Sequence, residues 1–577
     1  MQYIPNFIHQ KSLPTRPKRI FLDGGACGLK NGLITNLSLR YGERRAPRAH
    51  AMTAMLLNGA QILVNCLEEQ GVRNIFGYPG ASILSVYDAL AGSSIRHVLT
   101  AHEQGACFAA EGYARRCGRA GVVLATSGPG ATNLVTGLAD AYMDSVPLVA
   151  ITGNVPLSQL GHDSFQEVDI FDVSMPVTKY GMIVKSASEI APAVRRAFAL
   201  AESGRKGPVL VDVPSDIFDC AAEYEPVVPE RAVPPSPDEE SVAAAAEMIK
   251  RSSRPLIYAG GGVGSAGAEK QLLDLARLIK APVTVSYMGI GSCPPDYEKY
   301  LGVLSDINLK ATEAVSECDL FITVGARFNS RFGAFNGIRR RRVPLLQFDA
   351  DRAEIDKNLH ASHAVVGDAA KALDMLIPLL AEKEEAEWVY TSLPDVAEEN
   401  RGTRIIRALT RAMGRDITVT TDVGLHQEWA AHNAEIYSPR RFLTSGGLGA
   451  MGFGTGAAIG AHFASGDVCL VITGDGSFNM NFNELTTAVK HHVPLVVAVL
   501  NNNALGMIRK LQTARKVKGS GVNSLYLNVD YAALARAMGA RGVTVTEDED
   551  IDEAIDAALD GPLPLVIDFR IPINTGI

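Results

Sequence analysis

The sequence predicts an α/β protein built from three consecutive doubly wound domains. At 577 residues the chain is too long for one hydrophobic core and suggests about three domains of ~150–200 residues each. Short apolar strands alternate with apolar helices, which implies parallel sheets covered by helices on both faces. Two polar segments, residues 223–240 and 383–402, interrupt this alternation. We therefore expect domains at residues 54–222, 241–382 and 403–577, joined by these two linkers.

The first domain begins with a helix at Ala60–Gln70 that ends at Gly71, followed by a strand at Asn74–Gly77. Apolar runs and helical periodicity then continue the alternation. The further elements predicted here are a strand at Ile95–Thr100, a helix at His102–Arg116, a strand at Val122–Thr126, a helix at Ala131–Tyr142 and a strand at Leu148–Thr152.

The other two domains are separated by segments typical of extended boundaries. Five prolines lie between Glu225 and Asp238, and a charged stretch runs from Glu382 to Glu399. The strands predicted in the central domain are Pro255–Ala259, Val283–Val285, Leu320–Val324 and Leu345–Phe348; those in the third are Ile417–Thr420, Val468–Thr473, Leu495–Leu500 and Leu565–Phe569.

Charge and composition argue against several kinds of partner. A formal charge of −8 and a pI near 5.9 give no electrostatic reason to expect nucleic acid or an anionic membrane. The basic run Arg339–Arg342 is more typical of a solvated loop than of a binding patch. No apolar run reaches the ~18 residues that cross a bilayer. Eight cysteines without a CxxC pair indicate reduced thiols, so we expect a soluble, cytoplasmic protein.

Residues 1–53 differ from the rest of the chain. This stretch has nine Lys/Arg, two acidic residues and little periodicity. The composition fits a transit peptide, which would indicate a plastid location, and also a start codon assigned upstream of Met52 or Met55. We favour the second interpretation and treat residues 1–53 as an extension that is disordered or not native.

Two polar clusters in the third domain follow predicted strands. They are Gly474-Asp475-Gly476-Ser477 and Asn501-Asn502-Asn503, and ligands bind at the carboxyl ends of strands in doubly wound sheets. A carboxylate and an amide oxygen suit Mg²⁺, and the glycines allow a diphosphate to approach the backbone closely. Ser477 can donate to that diphosphate near a helix start. Alternatively, Gly-Asp-Gly is a tight turn and Asn501-Asn502 a loop cap, but their pairing favours the cofactor site.

The spacing of these clusters resembles the thiamine-diphosphate motif, and the surrounding sequence narrows the resemblance. The chain resembles the catalytic subunit of acetohydroxyacid (acetolactate) synthases from about Leu56 to Asp568. The stretches that carry this resemblance are Ala101–Ala106, Ser127–Gly137, Phe165–Glu167, Thr444–Gly454 and Asn501–Met507. The resemblance implies a pyrimidine-binding first domain, a central FAD-type domain and a diphosphate-binding third domain.

The resemblance assigns cofactor residues one by one. It implies that Asp475, the side chain of Asn502 and the backbone carbonyl of Ala504 hold Mg²⁺. Gly449 and Met451 would contact the aminopyrimidine of thiamine diphosphate, although Met451 outside this context would be interpreted as a core methionine. The residues assigned to the diphosphate side are Val423, Gly424, His426, Gly476, Ser477, Gly506, Met507 and Ile508.

Glu103 is the acid that the resemblance implies for the first domain. In the family this glutamate hydrogen-bonds the pyrimidine nitrogen from across a subunit interface, so a homodimer or homotetramer is expected. A carboxyl group in an apolar pocket has a raised pKa, which suits proton transfer. The alternative is an ordinary first-turn acid that favours the helix dipole.

Further first-domain residues are assigned to the substrate and the pyrimidine. Phe165 and Gln166 are candidates beside the reacting centre, and Pro129 and Asn133, with Thr126, beside the pyrimidine. Lys179 would attract a substrate carboxylate; the alternative, a surface lysine after a strand, stays open.

The central domain fits the family's non-redox FAD site only in part. Gly261, Arg327 and Asp349 match the pattern, whereas the family's Gly-Met-His-Gly stretch is replaced by Gly302–Ser305. The glycine run at Gly260–Gly267 is by itself a weak signal, because it also fits an ordinary strand-to-helix turn.

The implied reaction is decarboxylation of pyruvate and transfer of the two-carbon fragment to a second 2-keto acid, giving 2-acetolactate. Three departures bear on the substrate: Ala81 replaces a glycine, Leu425 a glutamine, and Leu511 the tryptophan that favours 2-ketobutyrate. Other thiamine-diphosphate decarboxylases or carboligases with a different acceptor, and a non-catalytic nucleotide-binding subunit, are the alternatives. A small regulatory subunit is a further partner that the resemblance suggests.

Overall fold

The alternation of strands and helices can be followed through a computed structural model of the chain. It describes residues 54–230, 233–328, 338, 341–392, 399–517, 521–525, 529–546 and 550–576. The extension at residues 1–53 and Arg339–Arg340 of the basic run lie outside the described residues. Among the helices that are described, none has both the length and the apolar character that a membrane crossing requires.

A parallel six-stranded sheet forms the first part of the chain. Its order is β3-β2-β4-β5-β7-β6, and an antiparallel pair of β1 and β8 adjoins it. The strands are β1 (Met55–Asn58), β2 (Asn74–Tyr78), β3 (Arg96–Leu99), β4 (Gly121–Ala125), β5 (Leu148–Asn154), β6 (Tyr180–Ile183), β7 (Pro208–Pro214) and β8 (Ala221–Tyr224). The helices are α1 (Gly59–Glu69), α2 (Leu84–Ala91), α3 (Glu103–Cys117), α4 (Pro129–Thr132), α5 (Val135–Asp144), α6 (Ile170–Ser174) and α7 (Ala187–Glu202).

The central part is a second parallel six-stranded sheet. Its order is β11-β10-β9-β12-β13-β14, which is 3-2-1-4-5-6 when the strands are numbered within the sheet. This is the order of dinucleotide-binding sheets, with a topological switch between β9 and β12. The strands are β9 (Pro255–Ala259), β10 (Val283–Val285), β11 (Tyr300–Val303), β12 (Leu320–Val324), β13 (Leu345–Asp349) and β14 (His363–Val366). The helices are α8 (Glu239–Arg251), α9 (Gly261–Ala266), α10 (Glu269–Leu278), α11 (Leu309–Glu317) and α12 (Ala369–Leu376).

The third part repeats the topology of the first. Its order is β16-β15-β17-β18-β20-β19, and in both sheets this is 2-1-3-4-6-5 by position in the chain. The strands are β15 (Thr418–Thr421), β16 (Phe442–Thr444), β17 (Cys469–Gly474), β18 (Leu495–Asn501), β19 (Arg541–Val545) and β20 (Leu565–Arg570). The helices are α13 (Arg401–Met413), α14 (Leu425–Asn433), α15 (Phe453–Ser465), α16 (Asp475–Asn481), α17 (Glu484–His491), α18 (Gly506–Ala514), α19 (Tyr531–Ala537) and α20 (Ile551–Leu559).

The predicted three-part α/β architecture is therefore confirmed, with two helices divided differently. The helix predicted at Ala131–Tyr142 is α4 and α5, because the chain tightens where the Leu134 amide donates to the Ala131 carbonyl at 3.1 Å. The sequence also predicts a helix from about Asn481 to His491, between the two polar clusters; the structure has one helix from Asp475, α16, and a second from Glu484, α17. Eight strands were not predicted: β1, β6, β7, β8, β11, β14, β16 and β19.

Helices α3 and α15 bring the first and third sheets together. A Cβ on Gly460 would lie 1.8 Å from the Ala109 carbonyl oxygen, and one on Gly112 would lie 2.1 Å from the Ala457 carbonyl oxygen. Only glycine allows the two backbones to approach so closely. This contact matters for the site, because α3 begins at Glu103 and α15 follows Met451.

Candidate active site

Two neighbouring strands bring the polar clusters of the third sheet together. Strands β17 and β18 pair in parallel with Gly474 opposite Leu500, so Asp475 and Asn502 follow adjacent strand ends. A cavity of about 170 Å³ opens there, at the switch between β15 and β17. It is lined by twelve predicted residues: Val423, Gly424, His426, Met451, Asp475, Gly476, Ser477, Asn502, Ala504, Gly506, Met507 and Ile508.

Asp475 is a buried carboxylate with one oxygen available for a ligand. Its Oδ1 accepts the Gly476 amide at 3.0 Å, whereas Oδ2 is buried and has no hydrogen-bond partner among the described residues. Burial raises the pKa of Asp475 to about 6, against backbone amides that lower it. The group is therefore ionised at neutral pH, and an unpaired buried carboxylate oxygen is costly unless a cation is bound.

The Asn502 turn faces this carboxylate. Asn502 Oδ1 accepts the Ala504 amide at 3.1 Å, which orients the amide oxygen and retains a second lone pair. Asn503 has a left-handed backbone, with φ of 54°, a conformation that asparagine tolerates better than most residues. A carboxylate and an amide oxygen at one cavity therefore fit a hard divalent cation such as Mg²⁺.

His426 forms another wall of the cavity. Cβ atoms on Gly424 and Gly474 would lie 2.6 Å from Cε1 and 2.9 Å from Nδ1 of its ring, so both glycines make room for the imidazole. Burial lowers the pKa of His426 to about 3, which leaves the ring neutral at physiological pH. Its buried Nε2 has no hydrogen-bond partner in the described part of the chain.

Ser477 joins two loops of the cavity wall. Its hydroxyl donates to the Val423 carbonyl at 3.0 Å and so connects the loops after β15 and β17. Gly476 lies against Leu505, since a Cβ there would lie 2.6 Å from Leu505 Cδ2. Gly506 begins α18, which also carries Met507 and Ile508.

The loop before α15 contains the two residues assigned to the pyrimidine. Met451 is half-buried and lines the cavity, so it is not an ordinary core methionine. Gly449 has a positive φ of 79° and donates its amide to Ser445 Oγ at 3.0 Å; it is not among the lining residues. The Ser445 hydroxyl therefore orients this loop.

Glu103 begins α3 and lies with other predicted residues of the first sheet. Asn133 Nδ2 donates to Glu103 Oε2 at 3.0 Å. Gln166 lies beside the turn that leads to Pro129, since a Cβ on Gly128 would lie 2.8 Å from the Gln166 carbonyl oxygen. Phe165 is 89% exposed in this single chain. The structure therefore brings Glu103 next to Asn133, and Gln166 next to the turn that precedes Pro129.

This group is tied to the third sheet by Glu484, which sequence reasoning missed. The buried Glu484 carboxylate accepts the amides of Ala101 and His102, with its Oε1 at 3.1 and 3.0 Å. Gly105 is needed beneath it, because a Cβ there would lie 2.1 Å from Glu484 Oε1. Burial raises the pKa of Glu484 to about 7. No sequence motif predicts this contact, because Glu484 lies 382 or more residues along the chain from His102 and Ala101.

Lys179 does not join the group. Its Nζ donates to the backbone carbonyls of Leu200 and Ser203, at 2.5 and 2.9 Å, where α7 ends. Burial lowers the pKa of Lys179 to about 8. The predicted substrate role is corrected here: cations favour helix C-termini, and this ammonium binds carbonyls there.

The predicted residues of the central sheet line a second cavity, of about 390 Å³. Gly261, Arg327 and Asp349 all lie on it, at the ends of β9, β12 and β13, around the topological switch. Burial raises the pKa of Asp349 to about 6. The replaced stretch Gly302–Ser305 is not among the lining residues. The cavity lies where dinucleotides bind sheets of this order.

Several residues of the third-sheet cavity were not predicted. Trp429 and Ile571 line it, and the Tyr531 hydroxyl donates to the Asp475 carbonyl at 3.2 Å. Leu500 and Leu505 also line it, as does Leu425, which the sequence already indicated as the replacement of a glutamine. Apolar residues of this kind carry no motif, so only the fold identifies them.

Family models agree with the site and the three sheets. Residues 57–173 match the N-terminal TPP binding domain of thiamine pyrophosphate enzymes, residues 242–376 their central domain, and residues 422–569 their C-terminal TPP binding domain. The fold and the site thus define a thiamine-diphosphate-dependent enzyme.

Individual relatives identify the family of this chain within the thiamine-diphosphate-dependent enzymes. The acetolactate synthase isozyme 2 large subunit of Escherichia coli (strain K12) is 41% identical over 527 residues, which cover 88% of this chain and 94% of that protein. The acetolactate synthase large subunit of Parasynechococcus marenigrum (strain WH8102) is 40% identical over 541 residues, which cover 89% of this chain and 88% of that protein. Acetolactate synthase of Mycobacterium bovis is 39% identical over 542 residues, which also cover 89% of this chain and 88% of that protein. The chain belongs to the acetolactate synthase large-subunit family.

Proposed function

We propose that this protein decarboxylates pyruvate and joins the resulting two-carbon fragment to a second 2-keto acid, giving 2-acetolactate when that acceptor is pyruvate. This makes it a transferase of the transketolase type in branched-chain amino acid biosynthesis. The observation that carries the proposal is the buried pair of Asp475 and Asn502 at adjacent strand ends, in a chain of the acetolactate synthase family.

Mg²⁺ would be held by Asp475, the side chain of Asn502 and the carbonyl of Ala504. The unpaired Oδ2 of Asp475 supports this assignment, because a buried carboxylate oxygen requires a partner. The diphosphate side of thiamine diphosphate would lie against Val423, Gly424, His426, Gly476 and Ser477, with Gly506, Met507 and Ile508 alongside. Its aminopyrimidine would lie against Gly449 and Met451.

When bound, thiamine diphosphate supplies the electron sink that makes loss of CO₂ from a 2-keto acid feasible. The residues of this chain orient the reactants and move one proton. Glu103 would exchange that proton with the pyrimidine nitrogen through Oε1, because Asn133 already engages Oε2 at 3.0 Å. Apolar side chains such as Met451 and Leu505 would exclude water from the cavity.

A partner copy completes the proposed site. Glu103 is not among the residues that line the metal cavity of its own chain, and Phe165 is exposed in the single chain. Both observations support a homodimer, or a homotetramer, in which Glu103, Phe165, Gln166, Pro129 and Asn133 of one copy face the cavity of another. The relatives are named large subunits, which supports a small regulatory subunit as a further partner.

The acceptor pocket would be open on the α18 side. Leu511 lies on α18 with 43% exposure, and Ile508, one turn earlier, is equally exposed. A leucine wall discriminates between acceptors that differ by a methylene by about 1–3 kcal/mol at most. A different acceptor is therefore the alternative that this residue favours.

We further propose that FAD binds the central cavity without a redox role, with Gly261, Arg327 and Asp349 as contacts. The strand order and the position of this cavity at the switch between β9 and β12 support it. We also propose a cytoplasmic location, which fits the absence of disulfides among the seven cysteines in the described part of the chain. The domain boundaries at residues 222–241 and 382–403 stay predictions.

The test is product analysis with ¹³C-labelled pyruvate, in the presence of thiamine diphosphate, Mg²⁺ and FAD and with each omitted in turn. We expect labelled 2-acetolactate that depends on thiamine diphosphate and Mg²⁺. Acetaldehyde alone, or a product that needs another acceptor, would replace the proposal with the alternative carboligase. No turnover and no cofactor binding would contradict it.

A further inference from the structure

The first and third sheets share a buried asparagine–aspartate pair at the same place. Asn154 ends β5 and its Nδ2 donates to Asp212 Oδ2 at 2.6 Å. Asn501 ends β18 and its Nδ2 donates to Asp568 Oδ1 at 2.9 Å. All four side chains are at least 95% buried. We name these pairs the first-sheet strut (Asn154–Asp212) and the third-sheet strut (Asn501–Asp568).

The register of the two struts is the same. Asp212 pairs with Thr152, two residues before Asn154, and Asp568 pairs with Val499, two residues before Asn501. Both struts join the fourth and sixth strands of sheets with the same order. The equivalence provides an internal comparison, because only one of the two struts adjoins a candidate metal site.

The third-sheet strut holds the turn that carries Asn502. Asn501 Oδ1 accepts the Asn503 amide at 3.3 Å, and its backbone carbonyl accepts the amide of Ile571 at 3.1 Å. The side chain of Asn501 thus supports the left-handed backbone of Asn503, and its backbone ties the turn to the segment after β20. The residue between them is Asn502.

Asp568 also reaches the other side of the candidate metal site. Its Oδ2 accepts the Tyr531 amide at 3.3 Å and pairs with Arg570 at 2.7 Å. The Tyr531 hydroxyl in turn donates to the Asp475 carbonyl at 3.2 Å. The Asp568 carboxylate is therefore linked to the Asn502 turn through Asn501 and to Asp475 through Tyr531.

The first-sheet strut shares the asparagine–aspartate bond but has different further hydrogen bonds, and no candidate metal ligand follows it. Asn154 Oδ1 accepts the Val155 amide at 2.8 Å, and Asp212 Oδ1 accepts the Thr152 hydroxyl at 2.6 Å. The residues that follow are Val155 and Pro156, and neither side chain offers an oxygen ligand. Removing the first-sheet strut therefore disturbs an equally buried pair of side chains and leaves the Asn502 turn unchanged.

We propose that Asn501 and Asp568 are positioning residues for the divalent cation: they fix the turn of Asn502 and Ala504 against Asp475, whereas the equivalent Asn154 and Asp212 serve the fold alone. This inference rests on the proposed Mg²⁺ site. Groups that orient metal ligands typically change metal affinity by about 10–100-fold when they are removed.

The experiment compares Asn501→Ala with Asn154→Ala in the full chain. The probe is Mn²⁺, titrated into each variant at saturating thiamine diphosphate. Free Mn²⁺ is measured by its electron paramagnetic resonance signal. A blank without protein corrects for the Mn²⁺ that the cofactor itself binds. We expect Asn501→Ala to weaken Mn²⁺ binding about 10–100-fold, and Asn154→Ala to leave it within about twofold of the wild type although thermal unfolding shifts in both. Equal Mn²⁺ affinity in the two variants would overturn the inference.

A second pair covers the case in which an alanine variant does not fold. Asp568→Asn places an amide donor against Arg570 and the Tyr531 amide, and Asp212→Asn is its control. We expect the same contrast in Mn²⁺ affinity. Wild-type protein that binds no Mn²⁺ would refute the proposed metal site itself, so the two failures can be told apart.

Discussion

Replacing Glu103 with glutamine separates a proton-transfer role from a structural one. Glutamine has nearly the same shape and can still accept from Asn133 Nδ2, which lies 3.0 Å from Glu103 Oε2. It cannot exchange a proton. A positioned acid or base contributes about 10²–10⁴-fold, which is about 3–5.5 kcal/mol of barrier at 1.36 kcal/mol per decade. A first-turn acid that only favours the helix dipole contributes about 0.3–1 kcal/mol of stability.

The assay is steady-state pyruvate consumption together with thermal unfolding at several thiamine diphosphate concentrations. We expect Glu103→Gln to lose at least about 10²-fold in kcat while the cofactor still stabilises the protein. Glu189→Gln is the matched control, because Glu189 is likewise a first-turn acid, of α7, and should affect stability alone. Wild-type kcat in Glu103→Gln would refute the proton-transfer role.

Three further perturbations test other parts of the site. Asp475→Asn should remove the stabilisation that thiamine diphosphate with Mg²⁺ gives in thermal unfolding, about 2.7 kcal/mol at a hundred times the Kd; an unchanged shift would contradict the metal assignment. His426 has a pKa lowered by burial from 6.5 to about 3, so the unfolded chain binds a proton that the folded one does not. Its contribution to stability is present above pH 6.5 and is lost as the pH falls towards 3, at about 1.4 kcal/mol per pH unit, and His426→Gln should flatten this dependence in acid-unfolding curves. Arg327→Ala should lower the flavin absorbance retained after reconstitution with FAD, and equal retention would argue against the central site.

The sequence predicts the strand ends of the third sheet well, because polar clusters interrupt long apolar runs there. Asp475 and Asn502 follow strands whose ends were predicted to within one residue. The strands that were missed include β11 and β19, which lie at sheet edges and are only partly buried. Edge strands have a weaker apolar pattern, so periodicity alone does not identify them.

Contacts between distant segments could not be predicted from the chain alone. Lys179 directly precedes β6, and only the fold shows its ammonium on the carbonyls that end α7. Glu484 and Asp568 are single acids without a motif, and their partners become visible only when the sheets are assembled. Motifs therefore predicted most of the residues that line the third-sheet cavity, whereas the residues that orient them required the fold.

The central claim is that one divalent cation binds between the ends of β17 and β18. Crystals grown with thiamine diphosphate and Mn²⁺ test it directly through anomalous scattering. We predict one strong peak per chain at about 2.1 Å from Asp475 Oδ2 and the Asn502 amide oxygen, with the pyrimidine nitrogen beside Glu103 of another copy. A peak elsewhere, or none at saturating Mn²⁺, would contradict the account.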